Sequence, residues 1–545
     1  MASLTDSIIS GSSPIKLLAY GLGSLGAYAL YSLLKIVYHE LRSTLRHLPG
    51  PKSTHFFYGN LLDIYKADNS VLHEKWVHEH GPTLQYKVLF GMKRLYTTDI
   101  KALNHFLTNS NIYQKPAASR LSIGRVVGPG IIVAEGEEHR HQRKIMNPAF
   151  GAPQVRELTS IFVDKSLELR DIWAAQASNA GGTANIDVLA WLTKATLDII
   201  GLAGFNYPFN ALSGGEGASE LGAAFSTIFE SGTTMSPLRF LQQWFPALGL
   251  IPTARDRLER GAQSTMKRIG RELLAESKRE IAADAEGKRA RDLLSLLVRA
   301  NTAKDLPASQ RLSDEDVVAQ VPTFLVAGHE TTSSATTWAL FSLTQHPAVQ
   351  ARLRAELLAV DTDTPTMDVL NALPYLDCVV RETLRIHAPV GSTVRQATQD
   401  DVVPLATPFT DVYGKVHETL NVSKGQTFII PILAMNRDPV IWGPDAMEFV
   451  PERWEAQPPI NNALPGIWGH MLSFLGGPRA CIGYRFSLVE MKALLFTLVR
   501  AFEFELAVPA AEIGKRSVIV QRPILRSAPE AGNQMPLLVR RYVRA

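Results

Sequence analysis

Cys481 lies in Phe474-Leu475-Gly476-Gly477-Pro478-Arg479-Ala480-Cys481-Ile482-Gly483, directly ahead of an apolar helical pattern running from Ile482 to about Arg500. A thiol at that position can act as a metal-binding thiolate. A helix N-terminus carries partial positive charge and unpaired N–H groups, and both favour ionised sulfur. Glycines at 476, 477 and 483 let backbone pass close to a flat ligand. N–H groups aimed at the sulfur would tune a bound metal, and Arg479 offers a planar cationic fork for a carboxylate. The plainer alternative is a buried, inert cysteine beside a helix start. The joint spacing Phe-x-x-Gly-x-Arg-x-Cys-x-Gly argues against it.

Four further segments carry residues of chemical interest. Ala327-Gly328-His329-Glu330-Thr331-Thr332 puts an acid and a hydroxyl side by side in a long helical pattern, where the two can pass protons. Glu382 and Arg385 are three apart on one predicted helix face, a pair worth little if exposed. Pro451-Glu452-Arg453-Trp454 adds a third charged residue. His139 and Arg143 are four apart and share a helix face.

The cysteine segment resembles the haem-binding signature of the cytochrome P450 family, with every defining position matched, and the other segments match the same family in the expected order over about residues 48–545. The resemblance implies heme b (iron protoporphyrin IX) with Cys481 as its axial metal ligand, a thiolate that favours O–O cleavage. It implies further that Phe474 shields the sulfur and that Gly483 belongs to the cofactor loop. Arg479, Arg143 and Arg395 would meet the haem propionates. His139 stands where the family usually has tryptophan. Glu330 and Thr331 match the oxygen-activation segment, and Gly328 would leave room for a ligand at the helix. His329 reads as structural. Glu382, Arg385 and Arg453 would form a buried network holding the cysteine loop.

These residues need elements to position them. Thr83–Phe90 and Lys93–Thr98 read as a hairpin around Gly91. A helix opens at Ser313 with Asp316 three residues on, a capping box. It bends at Pro322 and stops at His346-Pro347. Another covers Tyr375–Ile386, and strands near 518–525 and 536–542 close the chain. The expected fold is mainly α with small β-sheets (α+β), a cytochrome P450 fold preceded by one N-terminal transmembrane helix. Residues 17–34 carry no charge, and Ile15 to Val37 is long enough to span a bilayer core of about 30 Å. Lys35, Arg42, Arg46 and Lys52 follow against Glu40, which directs the body to the cytosol. The organisation is therefore a membrane anchor, 1–47, with its helix at about 15–37, and a haem-thiolate catalytic domain, 48–545. A cleaved signal peptide fits less well, because the apolar run continues past Ala27-Tyr28-Ala29.

Composition agrees. The 545 residues are 46% apolar and 20% charged, with a net charge of +4 that gives no reason to expect nucleic acid. Two cysteines, Cys378 and Cys481, exclude a disulfide scaffold and suit a reducing compartment. Cys378 has no motif around it and reads as core.

The resemblance implies a monooxygenase of the endoplasmic reticulum membrane. It would insert one atom of O2 into a hydrophobic small molecule, in the style of fungal members that act on terpenoids and other secondary metabolites. No nicotinamide or flavin unit is legible, so electrons should come from an NADPH–cytochrome P450 reductase. Arg140, Lys144, Arg485 and Lys492 are candidates for its docking surface. Pocket walls are expected from Arg120–Val133, Phe324–Ala327, Val390–Val394 and Gln521–Leu525. The alternatives are a reductase-independent haem-thiolate isomerase or dehydratase, against which Glu330-Thr331 argues, and a non-catalytic haem protein.

Overall fold

A computed structural model of the chain describes residues 14–68, 70–214, 220–224, 227, 254–283, 291–302, 311–455, 464–517 and 519–543. Helices predominate. Those that matter for the site are α1 (Pro14–Arg42), α2 (Gly136–Met146), α3 (Ala152–Asn179), α4 (Val188–Phe205), α5 (Gln320–Gln345), α6 (Pro374–Ile386) and α7 (Tyr484–Ala501). The strands are β1 (Thr83–Lys87), β2 (Lys93–Thr97), β3 (Tyr113–Gln114), β4 (Thr183–Asp187), β5 (Thr393–Ala397), β6 (Asp401–Thr410), β7 (Val416–Val422), β8 (Thr427–Ile430), β9 (Phe502–Leu506), β10 (Ile513–Ser517), β11 (Gln521–Leu525) and β12 (Pro536–Arg541). Among the described residues they form a five-stranded sheet ordered β1-β2-β8-β5-β3, a three-stranded sheet β4-β12-β9, and the pairs β6-β7 and β10-β11.

The expected hairpin is present, with Thr83 opposite Thr97 and Lys87 opposite Lys93. Its connection is a tight turn at Leu89–Gly91, with Phe90 (φ 55°) and Gly91 (φ 74°) in the left-handed region. Position 518, at the edge of an expected strand, lies outside the described residues.

Helix α5 is the axis of the molecule. Its approach is fixed by a complete capping box, in which the Ser313 hydroxyl accepts from the Asp316 N–H and the Asp316 carboxylate accepts from the Ser313 N–H. The turn Asp314–Val318 and α5 abut at Ala319, which keeps helical backbone (φ −64°, ψ −18°). Pro322 brings no N–H to bond Val318 four residues back, so the ladder is interrupted there while the chain continues. Helix α4 packs along α5, and Thr196 Oγ1 donates to the His329 carbonyl at 3.0 Å. By length and hydropathy α4 alone passes as a span among the described residues, yet two-thirds of it is buried inside the protein. It is a core helix, capped by Asp187 and ended by Asn206 in the left-handed region (φ 51°).

The cysteine-bearing side is built on α7, which packs against α3 and α5. Phe162 of α3 meets Phe486 of α7 edge-on at 4.7 Å. Trp173, Trp338, Phe496 and Phe502 are fully buried around them. Each such side chain contributes about 1.5–3 kcal/mol by leaving water. Helix α7 starts at Tyr484 rather than Ile482, so Cys481 sits in the loop before its Gly483 cap.

Candidate active site

The loop that carries Cys481 folds back on itself. The Cys481 N–H donates to the Phe474 carbonyl at 2.9 Å, with Leu475 in the left-handed region (φ 55°) between them. Phe474 is buried against Trp468 and Tyr484, at centroid distances of 5.7 and 6.0 Å. Two of the glycines answer to the protein itself. A side chain at Gly476 would run into the Pro465 carbonyl, and one at Gly477 (φ 68°) into the Leu107 carbonyl. A Cβ at Gly483 would stand 3.8 Å from the Phe150 ring, an ordinary contact.

Cys481 is exposed while Ala480 beside it is buried. Protein nevertheless surrounds the sulfur closely enough that burial pushes the thiol pKa up, against the Gly483 N–H and the Arg143 guanidinium, which pull it down. A metal cation at the sulfur would add to the two neighbours that favour the thiolate. Cys378, by contrast, is buried in α6 and pushed up to about 11 by burial.

Around the loop stands a group of buried charges from four separate stretches of chain. Arg479 donates to the Ala134 carbonyl at 2.7 Å and pairs with the Glu135 carboxylate rather than standing free. Lys115, just past β3, donates to the same carboxylate through its backbone N–H at 3.2 Å and its Nζ at 3.5 Å. Burial lowers the Lys115 ammonium to about 7, with Arg395 and Arg479 adding to the effect. Arg395 on β5 is buried, bonded to Thr393 Oγ1 at 2.6 Å, and lowered by burial to about 10. On α2, Arg143 donates to the Ala480 carbonyl at 2.6 Å and to Asn147 Oδ1 at 2.7 Å, so it holds the loop directly. His139 is buried one turn earlier, and burial plus Arg479, Lys115 and Arg143 depress it to about 3. It is a neutral ring at physiological pH. Lys115 and Glu135 were not legible in the sequence, since neither sits in a motif.

The acid–alcohol segment lies on α5. Ala327 is exposed and Thr331 half-buried, although their neighbours Val326, Glu330 and Thr332 are buried. These two positions share a face, and Thr331 Oγ1 donates to the Ala327 carbonyl at 2.7 Å. Glu330 is buried on another side, paired with Arg522 of β11 and with His329 Nε2 at 3.0 Å. His329 Nδ1 lies 2.6 Å from the Leu325 carbonyl, and burial lowers the ring to about 4. Gly328 has a reason within the protein itself. A Cβ there would stand 2.7 Å from Ile200, so it permits α4 to lie against α5.

Glu382, Arg385 and Arg453 meet. Glu382 and Arg385 are fully buried and bonded bidentately at 2.8 and 2.9 Å. Arg385 also donates to the carbonyls of Asn436 (2.9 Å), Ala446 (2.5 Å) and Glu448 (3.0 Å). Glu382 further accepts from Val450 N–H and Trp454 Nε1, each at 2.9 Å, and from Arg453 at 3.4 Å. Arg453 is held in turn by Asp445. The link to the cysteine loop runs through Asn436. Its side chain bonds Leu472 N–H (2.9 Å) and Ser473 Oγ (2.7 Å), immediately before Phe474.

Of the basic docking candidates, Lys144 and Arg485 are exposed, and Arg140 is exposed beside Glu137. Lys492 is not available. It is buried and paired with Asp377 at 2.8 Å. Among the expected pocket walls, Val127 and Ile131 bond to Thr323 and Gln320 of α5, and the Gln521 carbonyl accepts from Ser334 and Trp338.

The family model described as Cytochrome P450 matches residues 49–524. The chain belongs to the cytochrome P450 family. Among its relatives are Cytochrome P450 monooxygenase 205 of Postia placenta, 53% identical over 96% of this chain and 98% of the relative, and Cytochrome P450 monooxygenase 128 of the same organism, 50% identical over 95% and 96%. Cytochrome P450 monooxygenase claQ of Ampulloclitocybe clavipes is 37% identical over 91% of this chain and 93% of the relative. This cytochrome P450 is a monooxygenase, and its family implies a haem-thiolate cofactor.

Proposed function

We propose that Cys481 is the iron ligand of heme b and that this P450 oxidises a hydrophobic small molecule, of terpenoid or other secondary-metabolite type, with electrons from an NADPH–cytochrome P450 reductase. The observation that carries the reading is an accessible sulfur, addressed by the Gly483 N–H and Arg143, beside a buried surplus of cations. A porphyrin with two acid groups suits that donor set. The iron would take the sulfur as thiolate, and Lys115, Arg395, Arg479 and Arg143 would meet the carboxylates. The bound group supplies the activation of dioxygen.

The chain's own residues do the rest. Phe474 and Trp468 keep water from the sulfur side. Neutral His139 can donate one hydrogen bond without adding charge. Thr331 turns its hydroxyl from the Ala327 carbonyl to hold a proton donor on the accessible face of α5. Once its pairing with Arg522 loosens, the Glu330 carboxylate can take up a proton from solvent and pass it on from the buried side.

Residues 1–47 would anchor the protein in the endoplasmic reticulum membrane by a single pass, with the catalytic domain, 48–545, in the cytosol. Helix α1 has 29 residues, about 43 Å at 1.5 Å per residue. It leaves Tyr20, Leu30, Tyr31 and Leu34 exposed, an apolar surface suited to lipid.

The deciding measurement is the reduced carbon monoxide difference spectrum. The wild type should give the thiolate Soret band, and Cys481→Ala should lose it together with turnover. A native band and undiminished turnover in the variant would overturn the assignment.

A further inference from the structure

Among the described residues, cations and carboxylate around the cysteine loop do not balance. Lys115, Arg395, Arg479 and Arg143 influence one another or the sulfur, and His139 is neutral in their field. The carboxylate set among them is Glu135, whose side chain is 4% exposed and whose two oxygens face Arg479 and Lys115 separately. Glu135 is the residue before α2 and could have capped that helix, yet its side chain makes no capping bond. It turns instead toward a basic residue 344 positions away.

Buried cations without a counter-ion are costly. A carboxylate supplied by the protein removes part of that cost before any cofactor arrives. It also occupies donors that an incoming acid group would use. Arg479 keeps its bond to the Ala134 carbonyl, so it can release Glu135 and stay in place.

Resting on the haem reading above, we propose that Glu135 is a resident counter-ion. It holds the cationic cluster together before loading, competes with the cofactor's carboxylates for Arg479 and Lys115, and so moderates how tightly the cofactor is held. The motifs of the cysteine loop and of α2 do not include it.

The test measures the rate at which haem leaves the full-length holoprotein for excess apomyoglobin, for wild type, E135Q, E135D and K115M. E135Q should release haem at least fivefold more slowly, because a dianion then faces one more unit of net positive charge. E135D, which keeps the charge, should stay within twofold of wild type. K115M should release haem at least fivefold faster. If E135Q fails to accumulate, the double variant E135Q/K115M, with one charge of each sign removed, should accumulate and release haem more slowly than K115M alone. Release from E135Q at or above the wild-type rate overturns the proposal, as does a double variant that also fails to accumulate. The cofactor reading fails separately, and first, if the wild type shows no thiolate band; a normal band with an unchanged E135Q rate removes only the role of Glu135.

Discussion

Two groups of charges adjoin the cysteine loop, and they are built on opposite principles. In the Glu382–Arg385–Arg453 network every charge is answered inside the protein. Arg385 alone binds one carboxylate twice and three backbone carbonyls. In the cluster of Lys115, Arg395, Arg479 and Arg143, one carboxylate serves several cations, and an accessible sulfur sits next to it. Both combine glutamate with basic side chains away from bulk solvent. A closed network has no capacity left for a ligand and works as a brace. An open one keeps its surplus for something the chain does not contain.

The sharpest way to break this contrast is to open the closed side. Arg385→Ala strands Glu382 without its main partner and should cost about 3–5 kcal/mol, read as a fall in denaturant midpoint of the holoprotein. A double substitution to leucines at 382 and 385 should recover much of that loss. A single variant as stable as wild type would mean the network is not a brace.

On the open side, Thr331→Ala should leave the carbon monoxide band intact and lower product formed per NADPH by about 10²-fold, within the range for a lost proton donor. Loss of the band would show that Thr331 supports the fold instead. Arg395→Gln should weaken haem retention by about tenfold, near the worth of one charge-assisted hydrogen bond, measured by haem transfer to an acceptor protein. The fold itself should be untouched in far-ultraviolet circular dichroism.

A smaller effect comes from pH. His73, packed against Trp76, Tyr86 and Tyr96 away from the site, is held at about 4 by burial first and Arg94 second. Its unfolded value is about 6.5. Between these values the unfolded chain binds more protons, so stability is complete above about 6.5 and falls as pH drops toward 4. The thermal midpoint should drop between pH 7 and pH 5, and by less in His73→Gln. The smallest expected effect is at the surface. Charge reversal at Lys144 and Arg485 should raise the reductase concentration for half-maximal turnover by about twofold to fivefold, an effect that fades with salt.

Much of this was readable in the sequence because it is local. The capping box at Ser313, the hairpin around Gly91 and the cysteine loop are each set by residues a few positions apart. Glu382, Arg385 and Arg453 were legible for a different reason, as segments matching a family order. What the sequence hid is what the fold assembles from far apart. Glu135 meets Arg479, Arg522 meets Glu330, and Asn436 ties Arg385 to Ser473. None of these partners carries a pattern of its own. The misreading has the same origin. Lys492 reads as a docking residue because Asp377, which pairs with it, is distant in the chain, and the contact of Gly328 with Ile200 is hidden for the same reason. At Cys481 the local N–H groups are visible in the sequence, whereas the burial that raises the thiol is not.

The contact between Gly328 and Ile200 sets a rule for anyone who wishes to reshape the enzyme's specificity. Positions 328 and 200 form one volume shared by two helices. A methyl group added at 328 will push α4 away from α5 beside Ala327 and Thr331, whereas the same methyl introduced with Ile200→Ala has space waiting. Variant libraries that treat α5 as an independent wall will discard enlargements at 328 as inactive, and libraries that vary the two positions together will keep them.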